Sequence, residues 1–203
     1  MRLPGLVGSL WLALVCAMAG CGDGNTAGEG GGGGQGGSGG GSSAVPKAAW
    51  AVAFEDAGPD CQVGSENRQV GQITSDAVTS LVTDGESEAT VSCTVADTGS
   101  GFQVSALASQ QGVALTFLIG SLPATATKDA PATGSVSYAS PNTGSAFTSA
   151  DCDFYFTAGT PQGVKEGEVW LTFECPQIAA AVDNVCAIGI GYAAFEGCST
   201  TAE

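Results

Sequence analysis

From Ala48 to Tyr192 the chain sets apolar side chains at every second position in run after run, and no long helical period intervenes. Trp50, Val52 and Phe54 form one such run; Val91, Cys93 and Val95 a second; Phe102, Val104 and Ala106 a third. Val113, Leu115, Phe117 and Ile119 make a fuller fourth. Successive side chains of a strand point to opposite faces, so each run describes a ribbon with one face turned to a core. Gly58-Pro59, Thr83-Asp84-Gly85-Glu86, Gly99 with Gly101, and Pro141-Asn142 punctuate the runs as turns. A helical turn or two over Ser75–Val82 is the one rival element, and its Val78, Thr79 and Val82 are poor helix formers. The pattern predicts an all-β domain, an antiparallel β-sandwich or flattened barrel.

The best-specified unit is a hairpin from Asp151 to Cys175. Cys152, Phe154 and Phe156 share a face of its first strand, and Val169, Leu171, Phe173 and Cys175 share a face of its second. A turn centred on Gly163 and Val164 pairs Phe154 with Phe173 and Phe156 with Leu171, and brings Cys152 level with Cys175. Tyr155, Thr157, Trp170 and Thr172 take the opposite face. Tyr155 and Trp170 are diagonal neighbours there, either covered by a second layer or a loop, or exposed as an aromatic platform for a sugar or peptide.

Ahead of the domain, Arg2 and the apolar run Leu6–Met18 precede Ala19-Gly20-Cys21. The run is too short to span a bilayer and reads as a signal peptide, with small residues leaving room for a lipoprotein peptidase to cut before Cys21. This divides the chain into a leader (residues 1–20), a lipidated Cys21 with a Gly/Ser tether (residues 21–43), and one domain (residues 44–203). The tether lacks apolar residues that could build a core and would reach roughly 25 Å as a flexible coil. Cys21 is thus the expected lipidation site and the membrane the expected partner. The cell envelope is the expected location, on the outer membrane because Gly22 rather than Asp follows the cysteine.

Six further cysteines, Cys61, Cys93, Cys152, Cys175, Cys186 and Cys198, follow the anchor. An even number in an exported chain, with no CxxC among them, predicts three disulfides. The hairpin register places Cys152 and Cys175 at one rim, and a short return brings Cys186 there. One bridge is therefore expected within that group. None is expected between Cys186 and Cys198, which bracket a final strand about 40 Å long if extended.

The chain carries 20 acidic residues, 5 basic ones and no His, a formal charge of −15 that becomes −16 once the leader takes Arg2 away. Nucleic acid and anionic headgroups are unsuited to such a surface. Without His there is no Ser-His-Asp or Cys-His system and no His-ligated metal. The acidic clusters at Glu55, Asp56 and Asp60, at Asp84, Glu86 and Glu88, and at Asp151 and Asp153 match no calcium loop and read as solvated turns. No catalytic residue, metal or cofactor is expected. The function read from these features is non-enzymatic: a monomeric module displayed for binding an envelope protein or glycan, or for envelope structure. The rival is a carboxylate enzyme acting on cell-surface glycans, and a raised carboxylate pKa beside a second carboxylate in a cleft would mark it.

Two stretches carry a resemblance. Thr83–Glu86 running into Val91–Val95, and Glu168–Pro176 followed by Cys186 and Phe195–Cys198, resemble uncharacterised lipoproteins of myxobacteria, whose lipobox is also followed by a Gly-rich tether. Less closely, residues 88–175 are similar to the mycobacterial surface lipoprotein antigen family, whose β-rich domain begins and ends near a paired Cys. The resemblance implies a tethered β domain at the cell surface and no particular activity.

Overall fold

The computed structural model describes residues 44–55, 58–181 and 183–201. The leader, Cys21 and the tether lie outside these residues, as does Asp56. Every helix or strand described is a strand. In chain order they are β1 (Lys47–Glu55), β2 (Glu66–Val70), β3 (Gln72–Ile73), β4 (Val78–Ser80), β5 (Val82–Thr83), β6 (Thr90–Asp97) and β7 (Phe102–Gln110). Then follow β8 (Val113–Leu122), β9 (Ala132–Ala139), β10 (Phe147–Tyr155), β11 (Gly163–Lys165), β12 (Glu168–Ala181) and β13 (Asn184–Glu196). The stretch with a possible helical reading, Ser75–Val82, is a hairpin instead: β-branched Val78 and Thr79 enter β4, which folds back on β3.

Eleven strands form one antiparallel sheet with the path β2-β1-β13-β12-β10-β9-β8-β7-β6, while β11 adds to β12 and β5 to β1. The sheet curls into a half-barrel around its own inner face. Trp50 on β1 donates its indole N–H to the Ala108 carbonyl on β7 at 3.1 Å, across the core. The tail beyond β13 completes a seam against β6. Ser199 accepts from Val95 N at 2.8 Å and donates to Cys93 O at 2.9 Å, making a parallel bridge with Thr94. The turn between β11 and β12 joins it, Gly167 N reaching Val95 O at 3.0 Å. The outer edge of β6, otherwise a row of unpaired backbone groups, is thereby covered.

The inward positions are the ones the alternation marks. Trp50, Phe54, Tyr138, Phe117, Phe147, Phe154, Phe173 and Phe195 are all fully buried. Their rings pack in contact, Phe154 stacked on Phe173 at 5.8 Å and Phe117 edge-on to Phe195 at 5.5 Å. Gly191 lies opposite Phe173 because a side chain there would run into its ring, a Cβ meeting Phe173 Cζ.

The hairpin register holds: Phe154 pairs with Phe173, with Asp153 opposite Glu174 and Tyr155 opposite Thr172. Its turn does not lie at Gly163 and Val164. β10 ends at Tyr155, an outer loop follows, and β11 then turns back at Glu166-Gly167, where Gly167 has φ 75°. Phe156 never reaches Leu171 and bonds Ala126 O instead, at 3.1 Å. Pro161 has no N–H to give a ladder and Gly159 takes a left-handed φ, so the straight hairpin breaks between them.

Three disulfides staple the sheet: Cys152–Cys175 across β10 and β12, Cys61–Cys186 from the loop after β1 to the start of β13, and Cys93–Cys198 across the seam. The bridge expected within the Cys152, Cys175 and Cys186 group is Cys152–Cys175, and Cys186 and Cys198 take other partners.

Candidate functional site

On the outer face of β12 the side chains of Trp170, Thr172 and Glu174 follow one another, with Tyr155 of β10 beside Thr172. Tyr155 and Trp170 do not form a joint platform. Tyr155 is only 5% exposed and donates its hydroxyl to Glu174 Oε1 at 2.6 Å. Lys128, from the loop between β8 and β9, holds the same oxygen at 2.6 Å with its ammonium 5.7 Å from the tyrosine ring centre. Burial, then the bond to Glu174, pushes the phenol above its ordinary pKa. Burial raises Glu174 too, but the bonds from Lys128 and Tyr155 outweigh it and hold the carboxyl below its usual range.

A polar knot fills the space between Tyr155 and Trp170. Gln162 Oε1 accepts from Thr157 N at 2.8 Å and from Thr172 Oγ1 at 3.0 Å, and the two threonine hydroxyls are 2.9 Å apart. Gln162 Nε2 donates onward to Ser75 O at 3.0 Å, tying the outer loop to the small β3–β4 hairpin. The platform reading failed because the loop after Tyr155, hidden in a sequence that looked like a plain hairpin, folds back over the same face.

Trp170 stands alone beyond that knot, in a groove of about 340 Å³. Ala194 shares its floor, Val78 of β4 and Pro161 of the loop line it, and Lys165, Glu168 and Glu196 carry its charge. Lys165 and Glu168 are ion-paired at 2.8 Å. Trp170 packs on Ala49, Ile73 and Ala194, a second apolar cluster on the outer face, covered by the β3–β4 hairpin. Its Nε1 is buried without a hydrogen-bond acceptor. An unmet buried donor costs about 1–3 kcal/mol. An aromatic side chain beside a charged pair in a surface groove is a feature of a recognition site for an amphipathic ligand.

A second polar centre escaped the sequence reading. Glu66 on β2 is 8% exposed in its side chain and accepts four hydrogen bonds. Tyr138 Oη (2.6 Å) and Ser140 Oγ (2.5 Å) reach one oxygen, and Arg68 Nε (3.0 Å) and Asn142 Nδ2 (2.8 Å) reach the other. Burial raises the Glu66 pKa, and the bonds from Ser140, Tyr138, Arg68 and Asn142 together overcome it, leaving the group below its usual value. The carboxylate locks edge strand β2 to the turn between β9 and β10. No local motif announces it, since three of its donors come from more than seventy residues further along the chain. Among the described acidic turn residues, Asp84 caps the start of β6 by accepting from Val91 N at 2.8 Å. The chain matches no protein-family model, and no curated protein or solved structure is significantly similar to it.

Proposed function

We propose that the chain is a non-enzymatic, lipid-anchored display protein of the cell envelope, built to bind a ligand in the groove over Trp170. The observation that carries the binding half is the groove itself, with the half-buried ring of Trp170 in its wall beside the Lys165–Glu168 ion pair. The anchoring half rests on Cys21 behind its apolar leader and ahead of the glycine tether, and Gly22 in place of Asp after the cysteine favours the outer membrane. Two features weigh against a carboxylate enzyme. Glu66 and Glu174 are both shifted, and both are held as anions by surrounding donors. A general acid needs the opposite, a carboxyl kept protonated near neutral pH.

Anchoring is tested by fractionation. Cys21→Ser is expected to move the protein from the membrane pellet to the soluble fraction, and a variant that stays as firmly bound as wild type sinks the lipoprotein reading.

Binding is tested by fluorescence, because the domain has two tryptophans and Trp50 is sealed in the core with its N–H already bonded. Titration with solubilised envelope glycan and with envelope protein extract is expected to shift the Trp170 emission. The same titrations followed by calorimetry should show binding weakened or lost in Trp170→Phe, which keeps a ring in the groove without the indole. An identical titration curve for Trp170→Phe would remove the groove from the proposal.

A further inference from the structure

Charge is segregated along this chain in a way that the anchor and the groove do not explain. Between Thr98 and Ala150 the charged residues are Lys128 and Asp129, both in the loop between β8 and β9. Strands β7, β8 and β9 therefore carry none, in a protein of formal charge −15. Their outward positions hold Gln103, hydroxyls, small side chains, the partly exposed Leu107 and Leu118, which at 53% exposure is the most exposed large apolar side chain of any described strand. Beside Leu118 lies a shallow hollow of about 400 Å³, with Thr116, Ser135, Ser137, Thr148 and Ala150 around it.

We propose that this face is a homotypic interface, through which two copies of the chain pair about a two-fold axis. In an isologous contact the same patch serves both partners. Leu118 of each copy then enters the hollow of the other, and the short side chains around it let the two sheets approach to roughly 10 Å, the ordinary spacing of packed sheets. Electrostatics select the occupant. Two strongly acidic molecules repel through most of their surfaces, and the uncharged face is where they meet without opposing carboxylates. A nucleic acid would find no cation there. A glycan would find no aromatic ring to stack on, since Tyr138 and Phe117 of these strands face the core.

The test is sedimentation equilibrium of the full chain with the solvent density matched to the detergent. Wild type is expected to dimerise with rising concentration, and more tightly as salt screens the net charge. Leu118→Arg should weaken association by at least about tenfold. Gln69→Arg makes the same charge change on exposed β2 and should not weaken it. Thermal melting checks that each variant folds. A wild-type chain that sediments as a monomer up to about millimolar concentration overturns the proposal, as does a folded Leu118→Arg chain that associates as tightly as wild type.

Discussion

Replacing Cys93 and Cys198 together by alanine is expected to lower the stability of the domain by about 4–5 kcal/mol. The bridge joins residues 105 apart, and a cross-link limits the unfolded chain more as the loop it closes lengthens. Cys61–Cys186, at a separation of 125, should cost about as much, whereas Cys152–Cys175 closes a loop of 23 and should cost about 3 kcal/mol by the same account. Position reinforces the ordering. Cys198 anchors the tail against β6, so its loss also frees Ser199 from Cys93 and Val95 at the seam. Urea unfolding of the three paired variants, with midpoint and slope both fitted, checks this. A Cys93→Ala, Cys198→Ala chain as stable as wild type would mean the seam holds without its bridge.

Glu66→Gln is expected to cost about 2–4 kcal/mol at neutral pH, because it breaks a buried, charge-assisted network. Glutamine keeps an acceptor for Tyr138 and Ser140 but turns an amide NH2 toward the Arg68 guanidinium, which can only donate, and toward the Asn142 amide N–H that donates here. The pH dependence separates this from simple loss of packing. The Glu66 carboxyl has a lowered pKa in the folded chain, so its contribution is fully present above the unfolded value, near 4.5, and is lost as pH falls through the folded one. The stability gap between wild type and Glu66→Gln should therefore narrow on acidification from about pH 6 to about pH 3. A gap that stays constant over that range would mean the charge of Glu66 contributes nothing.

What the sequence makes legible here is whatever is local. Alternation identifies the strands and their inward faces, and the pairing of Phe154 with Phe173 follows from it because each strand of that hairpin reports the same parity. Cys152–Cys175 then follows from the register. The outer loop between Tyr155 and Gly163 is less legible, since Phe156 continues the apolar alternation although the strand has ended. Glu66 is illegible for a different reason: its value lies in Tyr138, Ser140 and Asn142, which the sheet topology brings to it. Cys61–Cys186 and Cys93–Cys198 likewise depend on the path of the whole sheet. The charge-poor span from Thr98 to Ala150 was readable throughout, but it acquires meaning only when β7, β8 and β9 are seen side by side.

The seam has a consequence for how such a domain comes into being. A polypeptide is made from its N-terminus, yet β1 pairs Lys47 with Glu196, and Cys93 waits for Cys198. The meander from β6 to β9 can form from neighbours as soon as it emerges, whereas the closing contacts belong to the last residues to arrive. Until then Cys93 is a free thiol on an unfinished edge, open to mispairing with Cys61 or Cys152. Reaching the native connectivity is thus a matter of timing as much as of geometry, and the domain's yield should depend on the disulfide-exchange catalysts present where it folds.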